Sequence, residues 1–171
     1  MKRLWSPWRM AYVSGERQAG CVFCDIQKGE QPDQDALILY RGTHAMVVMN
    51  KYPYTNGHLM VVPILHTDTP TALEDAALLE MARLVNDSLS ILREVLRADG
   101  FNVGMNLGAS AGAGIEQHIH MHIVPRWTGD TNFMSVFSDT RVICEALDES
   151  YCRLKPHFEA LAQERNAQNG N

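Results

Sequence analysis

Three histidines at alternate positions restrict most strongly what this chain can fold into. They lie in the stretch EQHIHMHIVPRW (116–127), where His118, His120 and His122 are interleaved with apolar residues. Successive side chains of a β-strand point to opposite faces of a sheet, so this alternation predicts a strand with all three imidazoles on one face. The rest of the chain has to explain why three imidazoles would be collected there.

The size and charge of the chain limit the kinds of protein it can be. Its 171 residues, 46% of them hydrophobic, are enough for one domain with a substantial core. Lys and Arg number 15 against 20 Asp and Glu, a net charge of -5. This balance argues against a protein that coats nucleic acid through a dense basic face. A small anionic ligand needs only a few local cations or backbone amides and is compatible with it.

The sequence predicts a protein of the cytoplasm. Its first 20 residues lack the apolar run and cleavage site of a secretory signal, and no stretch approaches the roughly 20 apolar residues of a membrane span. We expect no membrane and no nucleic-acid partner. Because cytosolic thiols are mostly reduced, the four cysteines, Cys21, Cys24, Cys144 and Cys152, are not expected to form disulfides. Metal binding explains the pair in CVFC (21–24) better.

The pattern of apolar residues predicts a single α+β unit without repeats or linkers. Five strands are predicted, over 36–42, 44–50, 56–66, 101–107 and 118–125. A long helix is predicted to follow a capping box of Thr71 and Glu74 and to end at Gly100. Its core-facing stripe is predicted to comprise Leu78, Ala82, Val85, Leu89, Leu92 and Leu96. A second helix is predicted around 147–161, kinked or split at Pro156, with fraying from Glu164 onward.

Three interpretations of the histidine strand compete. The imidazoles could form the solvated face of an edge strand, or a catalytic three-histidine metal centre with an open coordination position. In the third interpretation, one histidine binds a structural metal with the Cys pair while another acts as a nucleophile. The third gains support because the chain offers a Cys2His2 set, Cys21, Cys24, His66 and His118, that leaves His120 and His122 unused.

The loop before the histidines favours phosphate chemistry. GASAGAGIEQ (108–117) is rich in glycine, and such a backbone can approach a ligand closely and point the amides of Gly112, Ala113 and Gly114 at phosphate oxygens. The alternative is a flexible connection between two strands. Imidazoles beside phosphate-binding amides are suited to nucleophilic attack on phosphorus.

These residues resemble a known family. QHIHMHIVPR is similar to the signature of the histidine-triad family of nucleotide hydrolases and transferases, and the resemblance covers 21–127, including GHLMVVP (57–63). The segments LWSPWRMAYV (4–13) and PRWTGDTNFM (125–134) are most similar to the bacterial diadenosine tetraphosphate phosphorylase branch. The resemblance implies one histidine-triad domain over 1–171, with a core at 21–127, extensions at 1–20 and 128–171, and a homodimeric assembly.

The resemblance also implies roles for individual residues. His120 would be the nucleophile that takes up a nucleoside monophosphate, and His118 would hold it through its main-chain carbonyl while its side chain binds a structural zinc with Cys21, Cys24 and His66. The substrate-binding residues would be His58, His122 and Asn106 at the phosphates, Asn50 at the ribose, Gly112, Ala113 and Gly114 or Gln117 in the loop, and Trp127.

The implied activity is nucleotidyl transfer on dinucleoside polyphosphates through His120, with phosphorolysis of diadenosine tetraphosphate to ADP and ATP as the leading expectation. Arg126 and the loop amides could hold the attacking phosphate, although a residue after the strand-ending Pro125 could also point away. Two alternatives stay open. One is hydrolysis of dinucleoside polyphosphates or nucleoside phosphoramidates, and the other is a nucleotide-binding sensor with weak catalysis.

Overall fold

The computed structural model describes residues 20–130 and 145–169. The N-terminal stretch 4–13, Cys144 and the second part of the 125–134 stretch therefore lie outside the described residues. None of the described helices combines the length and the apolar character that a membrane crossing requires.

Five antiparallel strands form one sheet in the order β1-β2-β3-β5-β4. The strands are β1 (Ile38–Arg41), β2 (Ala45–Met49), β3 (Leu59–Pro63), β4 (Gly100–Met105) and β5 (Met121–Arg126), and the helices are α1 (Val22–Gln27), α2 (Asp75–Leu96) and α3 (Leu147–Asn169). Every residue of β2 and β3 is buried, as expected for central strands rich in valine and methionine. The predicted α+β class with five strands, one long helix and a C-terminal helix is confirmed.

The histidine stretch is a strand only in its second half. Pairing between β3 and β5 stops at Val61 and Met121, so His122 lies in the ladder while His118 and His120 precede it. Pro63 has no amide to donate, and its carbonyl is taken by the ring of His118. The amide of Ile119 donates instead to the carbonyl of Thr67, 2.8 Å away. The predicted strand therefore began three residues too early, at His118 instead of Met121.

The start of α2 differs from the predicted capping box. Thr69 accepts a hydrogen bond from the amide of Thr71 and caps a short 3-10 turn, Pro70–Ala72, with Pro70 at its first position. The α-helix begins only at Asp75, after Glu74, whose side chain caps nothing in the helix. The predicted capping box is wrong because the side chain of Thr69 caps the separate turn, and α2 has no side-chain hydrogen bond at its N-cap.

The buried face of α2 is also rotated from the predicted stripe. Its fully buried residues are Ala77, Met81, Leu84, Ser88 and Leu92. Leu78 is 41% exposed, and of the six predicted residues only Leu92 is fully buried. Both sets have helical spacing, so periodicity alone could not select the phase. The guanidinium of Arg93 lies 5.2 Å from the ring centroid of Phe101, a contact between α2 and β4.

The C-terminal helix α3 is continuous through Pro156. Tyr151, Leu154 and Phe158 are buried as the spacing predicted, and the hydroxyl of Tyr151 donates to the carbonyl of Ile38 at 3.1 Å. These contacts dock the helix on β1 and keep it in one piece. Beyond Glu164 it continues to Asn169, and Arg165 forms an ion pair with Asp87 of α2, so the predicted fraying is not seen there.

Candidate active site

His118 anchors the centre of the site. It is fully buried, and its Nε2 lies 2.9 Å from the carbonyl oxygen of Pro63. A carbonyl can only accept a hydrogen bond, so the proton is on Nε2 and the Nδ1 lone pair is available. That Nδ1 faces the sulfur atoms of Cys21 at 3.3 Å and Cys24 at 3.6 Å.

The predicted Cys2His2 set comes together around this nitrogen. Nδ1 of His66 lies 3.2 Å from the Cys24 sulfur, and the four ligand atoms of Cys21, Cys24, His66 and His118 lie within 4.8 Å of one another. Tetrahedral zinc with Zn–S near 2.3 Å and Zn–N near 2.0 Å would separate its ligand atoms by roughly 3.3–3.8 Å. Burial and the neighbouring Cys21 raise the pKa of the Cys24 thiol, a cost that a bound cation offsets.

His120 has the features of a nucleophile. Its Nδ1 lies 3.0 Å from the main-chain carbonyl of His118, so Nδ1 carries the proton and Nε2 keeps a lone pair. The ring is 6% exposed. Burial lowers the pKa of His120, although the bond to the His118 carbonyl opposes the shift. The imidazole is therefore neutral at pH 7, the form that attacks phosphorus.

A chain of hydrogen bonds fixes the tautomer of His122. The amide of Tyr54 donates to Nδ1 of His58 at 3.1 Å, so His58 carries its proton on Nε2. That Nε2 donates to Nδ1 of His122 at 2.9 Å. His122 therefore carries its proton on Nε2, beside His120, with 4.7 Å between the two ring centroids. Burial, together with the charge of His120, lowers the pKa of His122 to about 4.

His58 and Asn50 support this chain from behind. His58 is 1% exposed, and both of its ring nitrogens are hydrogen-bonded within the protein. The side-chain amide of Asn50 lies 3.3 Å from Nδ1 of His58, and its carbonyl accepts from the amide of Tyr52. The predicted ribose contact of Asn50 and the direct phosphate contact of His58 stay predictions.

The neighbouring strand β4 leaves room beside the histidines. Gly104 pairs with His122, and a Cβ built on Gly104 would meet nothing within 4 Å. Asn106 directly follows Met105, the last residue of β4, which pairs with Met121. Its predicted phosphate contact stays a prediction. Sequence reasoning missed Gly104, although a glycine inside a strand can mark the close approach of a ligand.

The glycine-rich loop uses part of its backbone internally. The amide of Gly112 donates to the carbonyl of Ala109 at 2.9 Å, and that of Ala113 donates to Gly108 at 3.4 Å. These bonds close a short 3-10 turn, Ala109–Ala111. Of the three amides predicted to bind phosphate, that of Gly114 makes no hydrogen bond to another described residue.

Trp127 and Arg126 lie at the far end of β5. Trp127 follows His122 by five residues, about 16 Å along a strand, and its indole donates to the carbonyl of Leu96 at 3.2 Å. Arg126 binds both carboxylate oxygens of Asp130, at 2.6 and 2.8 Å, and the side chain of Asn102. The structure thus does not bring these two residues to the histidines, and Arg126 points away from the loop amides.

Two aromatic rings at the site were not singled out from the sequence. Phe23, inside the CVFC turn and 2% exposed, has its ring centroid 5.4 Å from that of His118 and 5.1 Å from that of His120. Tyr54 is 38% exposed and lies 4.6 Å from His58 and 6.0 Å from His122, again between ring centroids. The only signals in the sequence for these two rings are their positions. Phe23 lies between two cysteines, and Tyr54 lies four residues before His58.

Comparison with known proteins identifies the family. The HIT domain model matches residues 31–129. The chain is 35% identical to a protein of Mycobacterium tuberculosis named AP-4-A phosphorylase. The match extends over 159 residues and covers 88% of this chain and 80% of that protein. It is 33% identical over 113 residues to an adenylylsulfatase of Arabidopsis thaliana, over 66% of this chain and 55% of that protein.

A solved structure agrees with these sequence matches. The zinc-bound histidine triad family protein of Mycobacterium smegmatis superposes with a TM-score of 0.68 at 31% identity, covering 85% of this chain and 97% of that chain. The chain therefore belongs to the histidine-triad family, whose defining element is the HIT domain.

Proposed function

We propose that this protein is a nucleotidyltransferase that cleaves dinucleoside polyphosphates through a nucleotidyl-histidine intermediate and passes the nucleotide to phosphate. The observation that carries the proposal is the pair of opposite tautomers at the centre of the site. His120 presents an Nε2 lone pair, while the adjacent His122 presents an Nε2–H. One ring can attack a phosphorus atom while the other donates a hydrogen bond to its oxygens.

In the first step, Nε2 of His120 attacks the terminal α-phosphorus of diadenosine tetraphosphate. A nitrogen–phosphorus bond forms, the bond to the bridging oxygen breaks, and ATP leaves with the electron pair. The proton of His120 stays on Nδ1, where the His118 carbonyl stabilises the positive charge that develops on the ring. The Nε2–H of His122 donates to an oxygen of the phosphoryl group that is transferred.

In the second step, an oxygen of inorganic phosphate attacks the same phosphorus. The nitrogen–phosphorus bond breaks, ADP leaves, and His120 recovers its lone pair. The open space beside Gly104, which pairs with His122, would give the phosphates room on this side of the sheet. The guanidinium of Arg126 does not take part, because it is bound to Asp130.

A zinc ion held by Cys21, Cys24, His66 and His118 would be structural, since four protein ligands complete its coordination. With zinc bound, these four residues would keep the ring of His118 in one place. The main-chain carbonyl of His118, which accepts from His120, would be held with it.

The choice of phosphate as acceptor is supported by the similarity to the AP-4-A phosphorylase of Mycobacterium tuberculosis. The similarity to an adenylylsulfatase supports the more general adenylyl transfer, with a different leaving group. Water in place of phosphate would make the enzyme a hydrolase through the same intermediate.

Product analysis tests the proposal. With diadenosine tetraphosphate and phosphate in excess, phosphorolysis yields ADP and ATP, whereas hydrolysis yields AMP and ATP. If AMP persists as a product, the phosphorylase activity is refuted, whereas the assignment of His120 as the nucleophile stands. Binding of the nucleotide without turnover would refute the enzyme and support a sensor.

We further propose a cytoplasmic homodimer. The order of strands places β4 at one edge of the sheet, and Val103 on that strand is 45% exposed. Exposed apolar side chains on an edge strand suit pairing with a second copy of the chain. Light scattering of the wild type and of Val103→Lys checks this, since a dimer formed through β4 should dissociate in the variant.

A further inference from the structure

The loop between β2 and β3 brings an unassigned tyrosine to the histidines. Tyr54 contacts the pair formed by His58 and His122 in two ways. Its amide donates to Nδ1 of His58 at 3.1 Å. Its ring centroid lies 4.6 Å from that of His58 and 6.0 Å from that of His122, with angles of 36° and 30° between the ring planes.

We propose that Tyr54 is a positioning residue for nucleotidyl transfer, which holds His122 in the tautomer and orientation that present its Nε2–H to the substrate. The proposal rests on the proposed function for the reaction that it serves. The hold of Tyr54 on the two imidazoles is a property of the free protein, and it can be measured without any substrate.

The loop is built to keep Tyr54 in place. The amide of Asn50 donates to the carbonyl of His58 at 2.9 Å, which closes the loop at its base. The amide of His58 donates to the carbonyl of Thr55, and the hydroxyl of Thr55 donates to the carbonyl of Pro125 on β5. Tyr54 is therefore tied to the same strand that carries His122.

Because the ring centroid of Tyr54 lies 6.0 Å from that of His122, we expect the Tyr54 ring to limit how much water reaches His122. Within the described ranges 20–130 and 145–169, the other titratable groups recorded against the ring of His122 are His58, from the same loop, and His120, from the segment before β5. The strand neighbours of His122 are Met60 on β3 and Gly104 on β4, neither of which titrates. Removing the ring would hydrate the imidazolium form of His122 and favour its protonation. A protonated His122 carries a proton on Nδ1 as well, so it can no longer accept the hydrogen bond from Nε2 of His58.

The test uses Tyr54→Ala, which removes the ring and keeps the amide, and Tyr54→Phe, which restores the ring without the hydroxyl. The titration of His122 is followed by NMR in zinc-loaded protein and assigned with His122→Gln. In parallel, kcat and KM are measured for phosphorolysis of diadenosine tetraphosphate. Leu79→Ala, at a 52% exposed leucine of α2, is the control for removing an exposed apolar side chain elsewhere.

We expect Tyr54→Ala to raise the pKa of His122 by about one unit or more and to lower kcat about 10-fold or more, with KM within about threefold. Tyr54→Phe should recover most of both effects. If the Ala variant does not fold, Tyr54→Leu keeps apolar bulk in the loop without an aromatic plane and takes its place.

Three results would overturn the positioning role. They are an unchanged titration of His122 in Tyr54→Ala, a rise in KM with kcat unchanged, or a Phe variant as impaired as the Ala variant. The second would make Tyr54 a nucleotide contact, and the third would assign the effect to its hydroxyl. If the wild type forms no adenylyl adduct, the proposed function fails, while the titration still decides whether Tyr54 controls His122.

Discussion

At the scale of single residues, the chemistry of the site depends on main-chain groups that have only one hydrogen-bonding role. A carbonyl accepts from His118 and another from His120, and an amide donates to His58. Each contact leaves one tautomer for its ring. The three contacts together determine which ring nitrogens carry a proton and which keep a lone pair for the proposed metal and substrate.

The first prediction at this scale concerns the nucleophile. His120→Ala should abolish the adenylyl adduct and lower turnover by about 1,000-fold or more, because the covalent step is lost. Affinity for diadenosine tetraphosphate should stay within about threefold, since other contacts remain. Adduct formation is measured with radiolabelled substrate and affinity by calorimetry. His157→Ala on α3 is the control. Turnover near the wild-type value in His120→Ala would disprove the assignment.

The second prediction uses the acid sensitivity of His122. Its pKa is about 4 in the folded protein and about 6.5 when unfolded, so the unfolded chain binds more protons between these values. His122 therefore lowers the free energy of unfolding as pH falls from about 6.5 towards 4. From pH 7 to pH 5 the loss should be about 1 kcal/mol after allowance for partial exposure.

Urea unfolding of the wild type and of His122→Gln at both pH values checks this. The variant should lose less stability, and effects on the metal site, common to both proteins, cancel in the difference. Equal losses in the two proteins would show that His122 does not titrate in this range.

The sequence predicted which residue types carry the chemistry but not how each is supported. Alternating histidines and a CxxC pair are recognisable because few other functions require them together. The parts played by Tyr54, Gly104 and His58 depend on how a loop closes and which strand lies beside which. These are tertiary relations, and no local pattern in the chain encodes them.

At the scale of elements, apolar runs predicted all five strands, while the ends of the elements followed specific contacts. β5 starts late because the ring of His118 occupies the Pro63 carbonyl. α2 starts late because Thr69 caps a separate turn. Such ends depend on single hydrogen bonds, which hydrophobic periodicity does not report.

The third prediction tests the turn that precedes β3. Gly57 has φ +69°, and an added Cβ would lie 2.3 Å from Cδ1 of Leu96 and 3.2 Å from Cδ2 of Leu92. Gly29 has a similar φ of +71° with nothing within 4 Å. Replacing either glycine with Ala should lower the free energy of unfolding by about 1 kcal/mol, because Ala has to adopt the left-handed backbone conformation. Only Gly57→Ala adds overpacking, about 1–3 kcal/mol.

The difference between the two variants in the free energy of unfolding, measured with urea, isolates the packing cost of α2 against this turn. Equal destabilisation by the two substitutions would mean that Leu96 moves aside without cost.

At the scale of the whole molecule, the Cys2His2 set joins parts of the chain that no strand pairing connects. Cys21 and Cys24 lie at the start of α1, His66 follows β3, and His118 precedes β5. A metal bound by all four fixes α1 against the sheet. It would also immobilise the residue whose carbonyl accepts from the proposed nucleophile, His120, so the candidate metal site and the candidate active site share His118.

The last prediction follows from this sharing. Zinc-loaded protein should contain about one zinc per chain, and Cys21→Ser should lose most of it, because a hydroxyl is a far poorer ligand than a thiolate. Cys152→Ser, at an exposed cysteine of α3, is the matched control and should keep the metal. Loss of the metal should lower the free energy of unfolding, since metal that binds only the folded state stabilises it. Turnover should fall through kcat, because His118 then holds His120 less firmly, and unchanged metal content in Cys21→Ser would refute the ligand set.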